Sequence, residues 1–151
     1  MKRLHYLIAT GVFSGYFPKA PGTFSTLIGI LLYYPIHFLA SFYQFLVITF
    51  FFFIGLRSSS KVESEVGTKD PGIIVIDEIL GVWIALFLLP LRWEYWVSAF
   101  FLFRFFDIQK PLYIRTIQSQ KGGLGIMLDD FLAGVYTNLL LQLIHYIWPL
   151  F

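Results

Sequence analysis

Between Lys19 and Arg57 the chain carries 37 consecutive residues without a formal charge. A single helix of that length would measure roughly 55 Å, against a bilayer hydrocarbon core of about 30 Å, so the stretch must fold back. Two spans, 24–40 and 41–56, with a turn after Pro35, satisfy the length and return both flanking cations to one side. On the first of them Gly22, Ser25, Thr26 and Gly29 share a helical face, a small-residue stripe suited to close packing. A second apolar run, 79–103, is broken only by Arg92 and Glu94 beside Trp93, Tyr95 and Trp96. Charges and aromatics together mark a hairpin tip at the membrane interface, which yields a third and a fourth span. The last span covers 131–149, where Asp130, Ala133, Gly134, Thr137, Asn138 and Leu141 form one stripe facing the bundle interior. The pattern predicts an all-α, polytopic membrane helix bundle of about five spans or re-entrant segments.

The connecting segments differ in character. Lys2 and Arg3 precede a short apolar run, but Gly11 and Gly15 break it, and Ala20 followed by Pro21 is a poor signal-peptidase site. Residues 15–23 read instead as a rigid turn with Lys19 projecting. Residues 57–69, rich in serine and charge, read as a solvated loop or short helix, with Glu63 and Glu65 as surface charges and Glu94 in water at the outer tip.

Composition sharpens this picture. At 58% hydrophobic, 13% charged and a mean hydropathy of +0.74, the 151-residue chain is too apolar for a soluble domain. No linker or internal repeat divides it, so residues 1–151 form one membrane-embedded domain. A net charge of +2 with no basic run gives nucleic acid no footing. The lack of cysteine excludes disulfides, thiolate metal sites and a cysteine nucleophile. With five spans, Lys2, Arg3, Lys19, Arg57, Lys61, Lys69, Arg104, Lys110, Arg115 and Lys121 fall on one side and only Arg92 on the other. By the positive-inside rule the N-terminus of this multi-pass chain is expected in the cytoplasm and the C-terminus outside.

The same fold-back carries Asp70, Asp77, Glu78, Asp107, Asp129 and Asp130 to the cytoplasmic end. Ionised carboxylates beside apolar residues are costly unless a cation compensates them. Hard oxygen donors without cysteine or nearby histidine suit Mg2+ or Mn2+, and Mg2+ habitually takes one or two carboxylates plus a substrate phosphate. Lys19, Arg104, Lys110, Arg115 and Lys121 would neutralise phosphate oxygens, Thr23 stands at the entrance of the first span, and a loop through Gly122, Gly123 and Gly125 would add backbone donors. His5, His37 and His145 stand apart from the acids and read as structural. The chemistry indicated is phosphoryl transfer at the inner membrane surface. Nucleophilic cysteine is absent, no histidine stands among phosphate-binding basic residues, and there is no Asp-x-Asp start for an aspartyl-phosphate. Direct attack by metal-activated water remains.

Four phrases, GYFPKAPGT (15–23), DPGIIVIDEILG (70–81), FRFFDIQKP (103–111) and KGGLGIMLDDFLAG (121–134), together resemble the phosphatidylglycerophosphatase A family of bacterial inner-membrane lipid phosphatases. The resemblance implies Mg2+-dependent removal of the terminal phosphate of phosphatidylglycerophosphate, a phospholipid substrate drawn from the membrane. Carried over motif by motif, it implies Asp77, Glu78, Asp107, Asp129 and Asp130 as catalytic and metal-binding residues. Lys19, Thr23, Arg104, Lys110 and Lys121 are the phosphate-binding set. Phe24–Ser25–Thr26 and Leu112–Tyr113 depart from the family's habits without touching an acid. Two other classes compete. A carboxylate-lined cation transporter would want acids continuing across the membrane, yet the outer half offers only Asn138 and His145. A non-catalytic partner of lipid-synthesis enzymes would leave six convergent acids without a use. Oligomeric state is not legible in the chain.

Overall fold

The computed structural model describes residues 2–120 and 122–148, and among these it is helical throughout, with no strand. Seven α-helices follow one another: α1 (Lys2–Ala9), α2 (Pro21–His37), α3 (Ser41–Val66), α4 (Ile76–Leu86), α5 (Trp93–Gln109), α6 (Ile114–Gln118) and α7 (Gly123–Ile147), with a 3-10 turn at Ser14–Tyr16. The five apolar runs expected from the sequence correspond to α2, α3, α4, α5 and α7. On length and apolarity alone, α3 and α7 are the two helices able to cross a bilayer. The others, of 17, 11 and 17 residues, are shorter than the roughly 20 residues that an upright span requires.

Helix α4 is the hub. Ten of its 11 residues are buried, as befits a helix apolar on every side, and it packs against α2, α3, α5 and α7. Its contact with α7 depends on missing side chains. A Cβ on Gly81 would meet the Phe103 ring at 2.5 Å and the Asp130 carbonyl oxygen at 2.9 Å, and one on Gly134 would collide with the Gly81 carbonyl oxygen. The two backbones therefore touch, which is how helices associate where lipid removes the hydrophobic drive. Outward from this core, Leu31, Phe50, Phe53, Phe101 and Leu139 are more than half exposed, an apolar surface on α2, α3, α5 and α7 that fits acyl chains rather than water.

Because α4 is so short, its last carbonyls emerge inside the protein. Asn138 on α7 donates through Nδ2 to the carbonyl oxygens of Ala85 at 3.1 Å and Phe87 at 2.7 Å. Gln142 adds a longer bond of 3.4 Å to Phe87. The other sharp turn is closed in the same manner: Gln44 donates to the carbonyls of His37 and Leu39, and Tyr33 donates its hydroxyl to Gln44 Oε1 at 2.7 Å. Amide side chains thus satisfy backbone groups where water is scarce.

Three sequence expectations change. Of the two readings of 57–69, solvated loop or short helix, residues 57–66 take the helical one as the end of α3, but Ser58 and Ser59 are buried rather than solvated. Glu94 is half-buried beside Arg92 at 3.4 Å rather than free in water. The glycine-rich stretch is not an anion loop. Gly122 is the N-cap of α7, and Gly123 and Gly125 are already helical. A Cβ on Gly123 would meet the Leu56 carbonyl oxygen at 2.5 Å and the Ser60 nitrogen at 2.6 Å, and its amide donates to Ser60 Oγ at 3.0 Å. The glycine serves the α3–α7 contact. Pro149, the end of the expected last span, lies outside the described residues.

Replacing Asn138 with leucine should orphan the Ala85 carbonyl at about 1–3 kcal/mol and leave the Phe87 carbonyl only the longer Gln142 bond. Thermal unfolding of the purified protein in detergent should show a midpoint lowered by several degrees, and an unchanged midpoint would mean that these carbonyls have other donors.

Candidate active site

The acids arrive from four directions. The turn at Asp70–Pro71–Gly72 leads into a short extended piece anchored where the Val75 amide donates to the Ala9 carbonyl at 2.9 Å. Helix α4 starts there, so Asp77 and Glu78 occupy its first turn, where the helix dipole favours negative charge. Asp107 stands one turn after Arg104 near the end of α5, and Lys110 follows as the C-cap in a left-handed conformation with φ 45°. Asp129 and Asp130 lie in the second turn of α7. Asp129 and Asp130 are each 2% exposed and Asp77 7%.

Between them is a cleft of about 260 Å³, lined by Ala20, Pro21, Gly22, Asp70, Gly72, Ile74, Asp77, Glu78, Arg104, Asp107, Lys110, Asp129 and Asp130. Gly22 has no room for a side chain: a Cβ would collide with Glu78 Oε1 and approach Arg104 Nη1 to 3.2 Å. The start of α2 is thereby the cleft's wall.

Ion pairs organise one flank. Lys110 Nζ donates to Asp129 Oδ2 at 2.6 Å and to Asp107 Oδ1 at 3.3 Å. Arg104 Nη1 donates to Asp107 Oδ2 at 2.6 Å and stands 4.0 Å from Glu78 Oε1. Burial alone would favour a neutral Lys110 amine, yet Asp129, Asp130 and Asp107 outweigh it and hold the ammonium charged well above its ordinary range.

The balance of charge is the decisive feature. Six carboxylates line the cleft against two cations, Arg104 and Lys110, a formal charge of −4. Asp77 Oδ1, Glu78 Oε2 and Asp130 Oδ2 are buried and accept no hydrogen bond. Two triplets have one oxygen from each member within 4.8 Å of the others: Asp77, Asp129 and Asp130, and Glu78, Asp107 and Asp130. Asp130 belongs to both. Orphaned, buried, hard oxygen donors at this spacing fit a divalent cation such as Mg2+, and the shared carboxylate fits a pair of them.

Seven residues singled out from the sequence therefore meet: Asp77, Glu78, Asp107, Asp129, Asp130, Arg104 and Lys110. Lys19 is exposed and Thr23 half-buried, both beside the cleft-lining stretch 20–22 but not themselves in the lining. Arg115 is exposed on α6. Lys121 lies outside the described residues. The histidines are structural: His5 bonds Ser58 Oγ at 3.2 Å, His145 bonds the Tyr95 hydroxyl at 2.7 Å, and His37 packs edge-on against Trp96. Sequence reasoning counted Asp70 among the six convergent acids but gave it no catalytic or metal role; it lines the rim and accepts from Gln118 Nε2 at 3.3 Å. Nor did it distinguish Gly22 from the packing stripe. A turn acid seven residues before the Asp77–Glu78 pair was the available signal for the first, whereas the second needs the packing.

The profile of the phosphatidylglycerophosphatase A family matches residues 7–145. A Bacteroides thetaiotaomicron protein carrying the provisional name phosphatidylinositol-3-phosphatase is 42% identical, over 97% of this chain and 99% of its own. Proteins named phosphatidylglycerophosphatase A from Haemophilus influenzae and Escherichia coli are 40% and 37% identical, each over 96% of this chain and over 90% and 86% of their own. No solved structure matches significantly. With a profile spanning nearly the whole chain and relatives alike from end to end, the chain belongs to the phosphatidylglycerophosphatase A family of phosphatases.

Proposed function

We propose that the protein hydrolyses phosphatidylglycerophosphate to phosphatidylglycerol and inorganic phosphate, with Mg2+ held by the clustered carboxylates. The observation that carries this reading is the cleft's six acids against two cations, with Asp130 common to both triplets. A phosphate dianion would be repelled by such a cleft unless divalent cations first reversed its sign.

Asp77, Asp129 and Asp130 would hold one ion and Glu78, Asp107 and Asp130 a second. Bound Mg2+ supplies Lewis-acid charge to the phosphoryl oxygens and acidifies the attacking water. Lys110 acts on the phosphate as a compact charge and Arg104 as a planar fork, both oriented by Asp107. Lys19 and Thr23, beside the cleft-lining stretch 20–22, would supplement them. Water's oxygen bonds phosphorus, the phosphorus–oxygen ester bond breaks, a carboxylate takes one proton of the water, and that proton is passed on to the freed alcohol oxygen. The active site would face the cytoplasm of a bacterial inner membrane crossed several times, with the Arg92 tip outside.

The 42% identity to the provisionally named phosphatidylinositol-3-phosphatase favours a second reading, in which the headgroup is a phosphorylated inositol. The chemistry is common to both: a phosphomonoester carried on a phospholipid. Phosphate release measured on phosphatidylglycerophosphate and phosphatidylinositol 3-phosphate in the same micelles discriminates them. The proposed reading requires the first to be preferred.

Chelation with EDTA should abolish release and Mg2+ restore it. Asp130→Asn should lower the rate about a thousandfold, roughly 4 kcal/mol of lost transition-state stabilisation, with Glu65→Gln within about twofold of wild type. Full activity in Asp130→Asn would remove it from the site. For orientation, cysteines introduced singly at exposed Ser64 and Leu91 should respond oppositely to a membrane-impermeant thiol reagent on intact cells: position 91 labelled, position 64 spared. The reverse would invert the topology.

A further inference from the structure

An apolar groove of about 550 Å³ runs along the seam between α2 and α5, away from the acids. Leu27, Ile30 and Tyr34 form one wall and Val97, Phe100 and Phe101 the other. Helical periodicity joins this groove to the active site. On α2, Thr23, Leu27, Ile30 and Tyr34 follow at spacings of four, three and four residues, so one face leads from the cleft entrance into the groove. On α5, Arg104, Phe101, Val97 and Trp93 follow at three, four and four residues in the same direction. The two helices meet at the cleft, where Gly22 abuts Glu78 and Arg104. From Arg104 to Trp93 the seam extends roughly 16 Å at 1.5 Å per residue.

We infer that this groove is the acyl-chain subsite of the enzyme, receiving one hydrocarbon tail of the phospholipid whose phosphate lies between Arg104 and Lys110; the inference rests on the phosphatase reading above. The groove fits a tail and not a headgroup. The one cation in its lining, Arg92, is at the far end and already paired with Glu94. It also opens sideways where the bilayer would be: Leu27, Tyr34, Val97 and Phe101 are between 46% and 66% exposed. Lipid tails are as apolar as these side chains, so the groove gains little by hydrophobic transfer. Its contribution is orientation, aligning the tail so that the phosphate reaches the carboxylates without the lipid leaving the membrane plane.

The subsite is tested by chain-length discrimination. Phosphate release is measured from dipalmitoyl and dihexanoyl phosphatidylglycerophosphate in identical mixed micelles, for wild type and Val97→Trp, which fills the groove. The ratio of kcat/KM, long chain over short, should fall at least tenfold in the variant. Active wild type with an unchanged ratio in Val97→Trp overturns the groove alone, whereas wild type inert toward every phospholipid monoester overturns the phosphatase reading and the groove with it. A readout independent of turnover uses vesicles containing phosphatidylglycerophosphate with a diazirine at the tail terminus. Photolabel on α2 and α5 should be displaced by unlabelled substrate and not by phosphatidylcholine. Label that both lipids displace equally would make the seam ordinary lipid-facing surface.

Discussion

Repulsion among carboxylates is the constraint around which this protein is built. In each triplet around Asp130, oxygens of three acids stand within 4.8 Å of one another, and at an effective dielectric near 20 two ionised groups at that separation oppose each other by roughly 3 kcal/mol or more. Lys110 and Arg104 relieve the Asp107 and Asp129 side, but Asp77, Glu78 and Asp130 each retain a buried oxygen with no donor. Such an arrangement has the donor chemistry of a cation site, and on the proposed reading the anionic substrate would bind only after the cations, which orders the two events.

Holding those acids close falls to helix packing. Helix α4 carries two of them into the middle of the bundle, and the backbone contact of Gly81 with Gly134 brings α7 near enough for Asp130 to serve both triplets. The same economy of side chains recurs at Gly22, where the absence of a Cβ lets α2 close the cleft against Glu78. Hydrogen bonding supports the geometry from behind: Asn138 satisfies the carbonyls freed at the end of α4, so a helix of only 11 residues can terminate inside the protein.

Much of this was legible in the chain because charge in an apolar sequence is conspicuous. Five of the six cleft acids, with Arg104 and Lys110, could be named as site residues from their positions at the ends of uncharged runs. The all-helical class could be named as well, whereas of the five spans expected two helices, α3 and α7, are long and apolar enough to cross a bilayer. What could not be read depended on neighbours distant in sequence. Serines at 58 and 59 have modest helix propensity, and only their burial against the rest of the bundle explains why α3 continues to Val66. The glycines at 122, 123 and 125 satisfy an anion-loop pattern and a helix-packing pattern equally well, and the Leu56–Ser60 backbone decides for packing. Asp70 looked like a turn residue because it is one; that the turn also forms the cleft rim is a tertiary fact.

The break in α4 bears on how the protein is made. The chain emerges from the ribosome with α4 well before α7, and until α7 arrives the Ala85 and Phe87 carbonyls have no Asn138 and the Asp77–Glu78 pair has no Asp129–Asp130 beside it. A short helix with open carbonyls at one end and clustered acids at the other lacks its main packing partner until the last helix docks, and a polypeptide cut short before α7 has neither the Asn138 bonds nor either acid triplet.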